Sequence, residues 1–370
     1  MNARIPAEVF PPGEFLKEEL EARNWSQVEF ADIIGKDTRL IYELINGKRM
    51  ITPETAVILG EALGTSPDLW MNLESQYQLS KVRNVPGSVS KKADLHTRFP
   101  VRELTKRNWI GSSTNIDVIE RQLLTFFEIK TTSDQPQFSH AAKKTDQQKT
   151  SISQLAWLFR VREIAKTIVV KSFDLAKLKN SLPELAALRV APEEARQVSR
   201  ILNGCGVRLV FVEPLPGSKI DGACFWLEGI PVIAMSLRFD RIDNFWFVLR
   251  HEIEHVIRGH GKKEFFFDQD MDDASSNRSD EEIQADKAAA NFCVNEIDMQ
   301  DFLDRVAPYF YEQKVIMFAQ RVGVHPGIVV GQIQRRLDRH DLLKRHQVKI
   351  RSSVISSAAS DGWGQQFPLE

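Results

Sequence analysis

The stretch NFWFVLRHEIEHVIRGH, residues 244–260, places two histidines, His251 and His255, four residues apart in an otherwise apolar run, with Glu252 between them. The apolar residues spread widely around a helix, which predicts a mostly buried helix from about residue 240 to residue 258. Residues four apart lie one turn apart on one helical face, so both imidazoles can bind a single zinc ion. Glu252 lies about 100° around the helix, close enough to act on water at the metal without being a ligand.

The chemistry of a hydrolytic zinc site requires this arrangement. Zinc lowers the pKa of a water molecule and polarises the scissile carbonyl, and the neighbouring carboxylate takes the proton and later passes it to the leaving amine. The alternative is a buried helix that carries two hydrogen-bonded histidines. That alternative leaves three ionisable groups clustered in an apolar helix, which is costly unless they are paired or metal-bound, so zinc is favoured.

The next predicted helix, SDEEIQADKAAANFCV at residues 279–294, offers a third ligand. Glu282 and Asp286 lie four apart on one face, and small residues continue that face, so the helix can pack close to the first. We expect Glu282 to bind the metal and Asp286 to orient a ligating histidine through its other ring N–H. An alternative for Glu282 is a capping box with Ser279, which is a good N-cap.

Three segments resemble the ImmA/IrrE metallopeptidases: RFDRIDNFWFVLRHEIEHVIRGH, EIQADKAAANFCV and VHPGIVVGQIQ, within roughly residues 200–338. The resemblance implies a thermolysin-like (gluzincin) zinc site with His251, His255 and Glu282 as ligands and Glu252 as the general base. It also implies a protein that cleaves a DNA-bound repressor, or a regulator that carries such a domain.

Two residues depart from that family. Glu254 stands where the family often has Gly and is expected to add negative charge near the site; Asp286 stands where it often has Asn. Neither departure removes a ligand. The sequence assigns no group that stabilises the transition state; the candidates, each better explained by a structural role, are His260, His325, Tyr309 and Tyr311.

Before the zinc helix the hydrophobic period changes to that of strands. VRLVFVEPL alternates and is rich in Val, and GACFWLEG and IPVIAMSL, separated by Glu228–Gly229, predict a hairpin or meander. The fold class expected for residues 206–345 is therefore an α+β, zincin-like metallopeptidase domain with a small β-sheet.

The first eighty residues predict five short helices. Ser26 begins the second helix with Glu29 at the capping-box position, Asp37 begins the third, and Pro53 stands at the first position of the fourth. Two short helices joined by a tight turn on a helical support indicate an all-α helix-turn-helix domain, here over residues 10–83.

Segments of this region resemble the Cro/C1-type (XRE) helix-turn-helix of HigA-like antitoxins: PPGEFLKEEL, SQVEFADIIG and LINGKR.ITPETAVILGEALGTSPDLWMNLE. The resemblance implies a five-helix domain, binding to operator DNA and a homodimer. An alternative is a helical protein–protein module that no longer binds DNA.

The third helix is expected to enter the major groove, where Arg39 can donate two hydrogen bonds to a guanine edge. Basic residues beside the helix can contact phosphates. Residues 1–80 hold 7 Lys and Arg against 13 Asp and Glu, so this surface must be a small basic patch on an acidic domain. The predicted DNA contacts are Lys36, Thr38, Arg39, Tyr42, Lys48 and Arg49.

Between these domains the sequence predicts a connector with one helix and a polar linker at residues 84–150, then a helical region at 151–205. A disordered tail is expected at 346–370. A length of 370 residues allows two or three domains, and a net charge of −1 provides no global attraction for nucleic acid or anionic membranes. The three cysteines form no Cys-x-x-Cys and no apolar run reaches spanning length, so we expect free thiols in a cytoplasmic protein without membrane contact.

Together these features predict a DNA-binding transcriptional regulator that carries a zinc-dependent endopeptidase. The expected cofactor is Zn²⁺, and the expected partners are operator DNA and a protein substrate, either a repressor or an antitoxin, or the chain's own linker near residues 130–150. The alternative is an antitoxin-like repressor whose zinc domain senses or binds a partner, such as a toxin, without proteolysis. An intact Glu252 favours the enzyme, because a structural zinc ion needs no base.

Overall fold

The computed structural model of the chain describes residues 9–81, 88–138, 150–262, 266–269 and 279–364. The chain divides into two units, Met1–Lys91 and Lys92–Glu370. Each unit has its own hydrophobic core.

The N-terminal unit contains the five helices that the sequence predicts. They are α1 Pro12–Ala22, α2 Gln27–Ile33, α3 Thr38–Ile45, α4 Pro53–Leu63 and α5 Pro67–Lys81. Ser26 and Glu29 form a reciprocal capping box at the start of α2, and the Asp37 side chain accepts a hydrogen bond from the Arg39 N–H at the start of α3. Side-chain caps of this kind satisfy backbone donors that have no partner inside the helix.

Two close contacts within this unit fix the C-terminal end of α3 and the loop that follows it. A Cβ at Gly13 would lie 2.3 Å from the carbonyl oxygens of Leu44 and Ile45, so only glycine lets α1 begin against the end of α3. Beyond α3, the buried Glu74 carboxylate accepts the Ile51 N–H at 3.1 Å and fixes the loop. Ile33, the last residue of α2, is 51% exposed, whereas Phe30 and Ala31 of the same helix are buried in the core of this unit.

The second unit begins with a run of helices, continues with three consecutive strands, and then consists mostly of helices over its described residues. Its helices are α6 Ser88–Arg98, α7 Val101–Lys106, α8 Ile116–Phe126, α9 Ile152–Thr167, α10 Leu175–Ala187, α11 Val198–Gly204, α12 Ile242–Arg258, α13 Asp280–Cys293, α14 Glu296–Val306, α15 Glu312–Val322, α16 Pro326–Leu337 and α17 Arg351–Ile355. Its strands are β1 Arg208–Val212, β2 Ile220–Leu227, β3 Ile230–Met235, β4 Phe266–Gln269 and β5 Ala359–Asp361. Short 3₁₀ turns occupy Leu188–Val190, Pro192–Gln197 and Lys344–His346.

The five strands form one mixed sheet in the order β4-β2-β3-β1-β5. β2 pairs antiparallel with β3 and with β4, whereas β1 pairs parallel with β3 and with β5. The predicted hairpin is confirmed, and Glu228 and Gly229 both have positive φ at its turn, as a two-residue hairpin loop requires.

Two helical layers cover the two faces of this sheet. Successive residues of each strand face opposite sides of the sheet. Leu209 and Phe211 pack in the core formed with helices α10–α17, whereas Val210 and Val212 pack in the core formed with helices α6–α9. The segment predicted as a connector, 84–150, therefore supplies part of a core, because its helices bury side chains against the sheet. Those side chains are Leu95, Phe99, Leu104, Trp109, Leu123 and Phe127.

The prediction of a disordered tail at 346–370 is wrong for residues 346–364, which are folded. Ile350 and Val354 are buried in the core, and β5 adds a parallel strand beside β1. The nearly buried Asp361 accepts a hydrogen bond from Trp109 Nε1 at 3.0 Å and forms an ion pair with Arg160. These partners come from distant segments of the chain, so local composition gives no sign of them.

The predicted polar linker near residues 130–150 falls mainly outside the described residues, which resume at residue 150 after residue 138. Just before that gap, Phe138 is buried and packs edge-on against Phe159 and Phe225. Within the described ranges, no helix is long and apolar enough to cross a membrane.

Candidate metal centre

The candidate site is built on α12, whose residues from Ile242 to Val256 are almost all buried. This helix packs on β2 and β3 on one side and on α13 and α16 on the other. Gly259 ends it in a left-handed conformation, φ +72°, which glycine adopts without steric cost.

Three side chains from two helices converge at this site. The Nε2 atoms of His251 and His255 lie 2.9 Å apart, and the Glu282 carboxylate places one oxygen 3.2 Å from His251 Nε2 and the other 3.6 Å from His255 Nε2. One ligand atom from each of the three residues lies within 4.8 Å of the other two. The histidines are buried and Glu282 is about a quarter exposed, so the cluster opens toward solvent on the Glu282 side.

Helix α13 can bring Glu282 close to the histidines because the side chains on its buried face are small. Ala285, Ala289 and Cys293 are buried along that face, which lets α13 approach α12 closely. Ser279 caps the helix by accepting the Glu282 N–H at 3.3 Å, while the Glu282 carboxylate faces the imidazoles. The cap and the ligand role are therefore compatible in one residue.

The outer ring nitrogens of both histidines have partners. Asp286 Oδ1 lies 3.0 Å from His251 Nδ1, the contact expected of a residue that orients a ligating imidazole. His260 Nδ1 lies 2.9 Å from His255 Nδ1. Burial lowers the pKa of His260 below its usual value. With both Nδ1 atoms engaged, both Nε2 atoms point toward Glu282.

Glu252 is fully buried and lies against strand β2. A Cβ at Gly222 would lie 2.1 Å from Glu252 Oε1 and 3.0 Å from Val248 Cγ1, so only glycine leaves room for this carboxylate. Gly222 is the first residue of the segment GACFWLEG, which the sequence predicts only as a strand. The sequence signal for this contact is the position of Gly222 inside a predicted strand, because a glycine in a strand often marks a place where another part of the protein or a ligand comes close to the backbone.

Glu254, which was expected to add negative charge near the site, is neutralised. It accepts hydrogen bonds from Arg250 and from Arg258, each at 2.7 Å. Burial by itself would raise the pKa of the Glu254 carboxyl, but the hydrogen bonds and charges of the two arginines outweigh it and hold the pKa below its usual value. Glu254 therefore adds no net negative charge near the site, because two arginines pair with it.

Other sequence candidates have separate contacts. His325 begins α16, and its Nδ1 accepts the Gly327 N–H at 3.0 Å. Tyr309 and Tyr311 stack on each other with mostly exposed rings. Among the described contacts, none brings these three residues to the metal-ligand cluster.

In the N-terminal unit, five of the six predicted DNA contacts are exposed and Thr38 is half-buried. Arg39 Nε donates to Glu43 at 2.9 Å, and Arg49 contacts the same carboxylate at 3.4 Å. Lys48 lies over the Tyr42 ring at 5.2 Å. The Glu43 carboxylate therefore pairs with two cations of the predicted patch, Arg39 and Arg49, although Glu43 is not among the predicted DNA contacts.

Two family models match the chain, one in each unit. The helix-turn-helix model HTH_3 matches residues 16–70, and the IrrE N-terminal-like domain model, Peptidase_M78, matches residues 206–333. The second match spans β1 to α16 and so contains α12 and α13 with their cluster.

Similar proteins match a part of the chain. The HTH-type transcriptional regulator YddM of Escherichia coli strain K12 is 34% identical over 70 residues, which is 19% of this chain and 74% of the relative. Among solved structures, an addiction module antidote protein of the HigA family from Coxiella burnetii is 27% identical, over 24% of this chain and 94% of that one, with a TM-score of 0.20. PA4674 from Pseudomonas aeruginosa, solved with its operator DNA, is 26% identical, over 23% and 94%, with a TM-score of 0.22. The chain therefore belongs to the HTH-type, DNA-binding transcriptional regulators, and its second unit carries an IrrE N-terminal-like domain of the M78 peptidase family.

Proposed function

We propose that the second unit is a zinc-dependent endopeptidase that cleaves a partner protein, and that the helix-turn-helix domain directs this activity to operator DNA. The observation that carries the proposal is the convergence of His251, His255 and Glu282 beside the buried Glu252. The match to the M78 peptidase family over the same residues supports it.

The donor set fits zinc. Two imidazole nitrogens and one carboxylate are the ligand types of hydrolytic zinc sites, which keep one position open. The Nδ1 contacts leave Nε2 of both histidines for the metal, and Glu282 offers an oxygen to each. Three protein ligands and an opening at Glu282 correspond to a catalytic site, whereas closed structural sites hold four protein ligands.

Bound zinc would supply Lewis acidity, polarising the scissile carbonyl and making water easier to deprotonate. The carboxylate of Glu252 would take the proton from the attacking water and deliver it to the leaving amine. Strand β2 holds that carboxylate in place through its contact at Gly222. Asp286 would keep the His251 ring in the orientation and tautomer that metal binding requires.

We further propose that the N-terminal domain binds its operator as a homodimer, with α3 in the major groove. Arg39 would contact a base edge, and Lys36, Lys48 and Arg49 would contact phosphates. The protein substrate would be a repressor or antitoxin bound near the same operator. Cleavage of the chain's own segment near residues 130–150 is the second substrate to test.

Zinc content tests the metal site. We expect about one zinc per chain in the purified wild type, and strongly weakened binding in His255→Ala and in Glu282→Gln. Glu281→Gln is the matched control, because Glu281 is exposed on the neighbouring position of α13. A wild-type protein that takes up no zinc after reconstitution would contradict the proposal.

Cleavage is tested by comparing new protein N-termini in cells that express wild type or Glu252→Gln. We expect the variant to retain zinc and DNA binding and to lose a defined set of cleavage products. If repression and all cleavage products are the same in both strains, the non-proteolytic alternative, in which the zinc domain senses or binds a partner, replaces the peptidase.

A further inference from the structure

The residue His260 lies just beyond the end of α12, five residues after His255. Its Nδ1 is 2.9 Å from His255 Nδ1, and the ring centroids are 5.2 Å apart. The contact joins one predicted metal ligand to a histidine outside the His-Glu-x-x-His motif.

The chain holds His260 in this position by its backbone on both sides. The His260 N–H donates to the His255 carbonyl at 2.9 Å, and the His260 carbonyl accepts from Trp226 Nε1 at 2.7 Å. Gly259 and Gly261 flank it with φ of +72° and +79°. A Cβ at Gly261 would lie 3.0 Å from the Cys224 carbonyl oxygen, so the segment is pressed against β2.

The positions of protons follow from the geometry at His255. Its Nε2 faces His251 Nε2 and Glu282, so a metal ion would be bound through Nε2. A neutral imidazole bound through Nε2 carries its proton on Nδ1. That N–H then has His260 Nδ1 as its acceptor, and the His260 proton resides on Nε2.

We propose that His260 is a positioning residue for the zinc site: it accepts the Nδ1–H hydrogen bond of His255 and so fixes the tautomer and ring orientation in which His255 binds the metal. The two ligating histidines then have different supports, a carboxylate of α13 for His251 and an imidazole after α12 for His255. The inference rests on the proposed zinc site.

The test compares zinc affinity, measured by competition with a chromogenic chelator, in wild type, His260→Leu and His260→Asn. Leu removes the acceptor, and loss of such an outer partner typically weakens metal binding about 10- to 100-fold. Asn places its Oδ1 near the position of the imidazole Nδ1 and is expected to restore most of the affinity. His96→Leu, an exposed histidine in α6, is the matched control and should bind zinc like wild type.

The outcomes separate the two proposals. A wild type without zinc would overturn the metal site and this inference together. A wild type that binds zinc, with His260→Leu unchanged or His260→Asn as weak as His260→Leu, would overturn the role of His260 alone. Should His260→Leu fail to fold, NMR of histidine side chains in zinc-loaded wild type decides: a proton on His255 Nδ1 and none on His260 Nδ1 supports the role, and a proton on His260 Nδ1 overturns it.

Discussion

The side chain of Glu252 shows how single residues shape this site. A carboxylate buried at 0% exposure needs room and a fixed orientation, and both come from a glycine on a neighbouring strand. The pair Gly222 and Glu252 is thirty residues apart in sequence, yet a single methyl group at residue 222 would occupy the space of the carboxylate.

Replacing Gly222 by Ala should therefore damage the site. The added Cβ would overlap Glu252 Oε1 at 2.1 Å, and overpacking of a filled interior typically costs about 1–3 kcal/mol of stability. We expect a lower urea midpoint and loss of peptidase activity, with zinc still bound. Gly204→Ala is the control, because the nearest atom to its Cβ is a lysine Nζ at 4.0 Å; equal behaviour of the two variants would disprove the steric account.

The cysteines are expected to be unreactive in the folded protein. All three are buried, and burial raises the pKa of the Cys293 thiol to about 12. At pH 8 the thiolate fraction of Cys293 is then on the order of one in ten thousand, and the thiolate is the reactive species. A colorimetric thiol assay should detect no rapidly reacting group in native protein and three in denaturant; rapid native labelling of Cys293 would refute this prediction.

At the scale of elements, the helix pair α12 and α13 brings the predicted metal ligands together, while β5 forms one edge of the sheet. The Asp361 carboxylate of β5 is 4% exposed and pairs with Arg160 of α9, which is 11% exposed. Strand β5 thereby connects the sheet to the helical layer on the face opposite α12.

Asp361→Ala should destabilise the second unit by about 2–3 kcal/mol, because it leaves the buried Trp109 Nε1 without its acceptor and removes one of the two carboxylates that pair with Arg160, the other being Glu163. Urea unfolding followed by tryptophan fluorescence measures the change. Asp341→Ala is the control: its pair with Arg339 is exposed on both sides, so no measurable change is expected. A similar midpoint for both variants would contradict the structural role of β5.

The proposal that α3 enters the major groove leads to a prediction about DNA. Lys48→Ala should weaken binding to all sequences and reduce the salt dependence by about one phosphate contact, whereas Arg39→Ala should relax sequence preference by about 1–3 kcal/mol at one position. Anisotropy titrations at several salt concentrations, on DNA selected from a random pool, separate the two effects. Identical salt slopes and preferences in both variants would reject the predicted division of roles.

At the scale of the whole molecule, the two units have separate cores, and the proposed function gives each unit its own ligand. A ligand that binds only the folded form of one unit stabilises that unit by mass action. Zinc is therefore expected to act on the second unit, and operator DNA on the first.

Removal of zinc by a chelator should lower the thermal unfolding temperature of the second unit only. At a zinc concentration 100 times the Kd, the lost stabilisation is about 2.7 kcal/mol. Calorimetry should show one transition that moves with chelation and one that stays. In His255→Ala, neither transition should respond to the chelator; a chelator effect that persists in this variant would place the metal elsewhere.

Features that depend on local spacing could be predicted from the sequence. The five N-terminal helices follow from caps and periodicity near each boundary, such as the Ser26–Glu29 box. The His251–His255 pair and the Glu282–Asp286 pair follow from the four-residue repeat of a helix, which places each pair on one face. The hairpin at Glu228–Gly229 follows from alternation interrupted by turn residues.

Features that join distant segments of the chain could not be predicted and are seen only in the folded protein. The place of β5 and the burial of helices α6–α9 against the sheet depend on packing between elements, which no local pattern encodes. Gly222 illustrates the same limit, because its function is the space it leaves for a side chain on another element. Periodicity shows which face of an element is apolar, but only the folded chain shows what that face contacts.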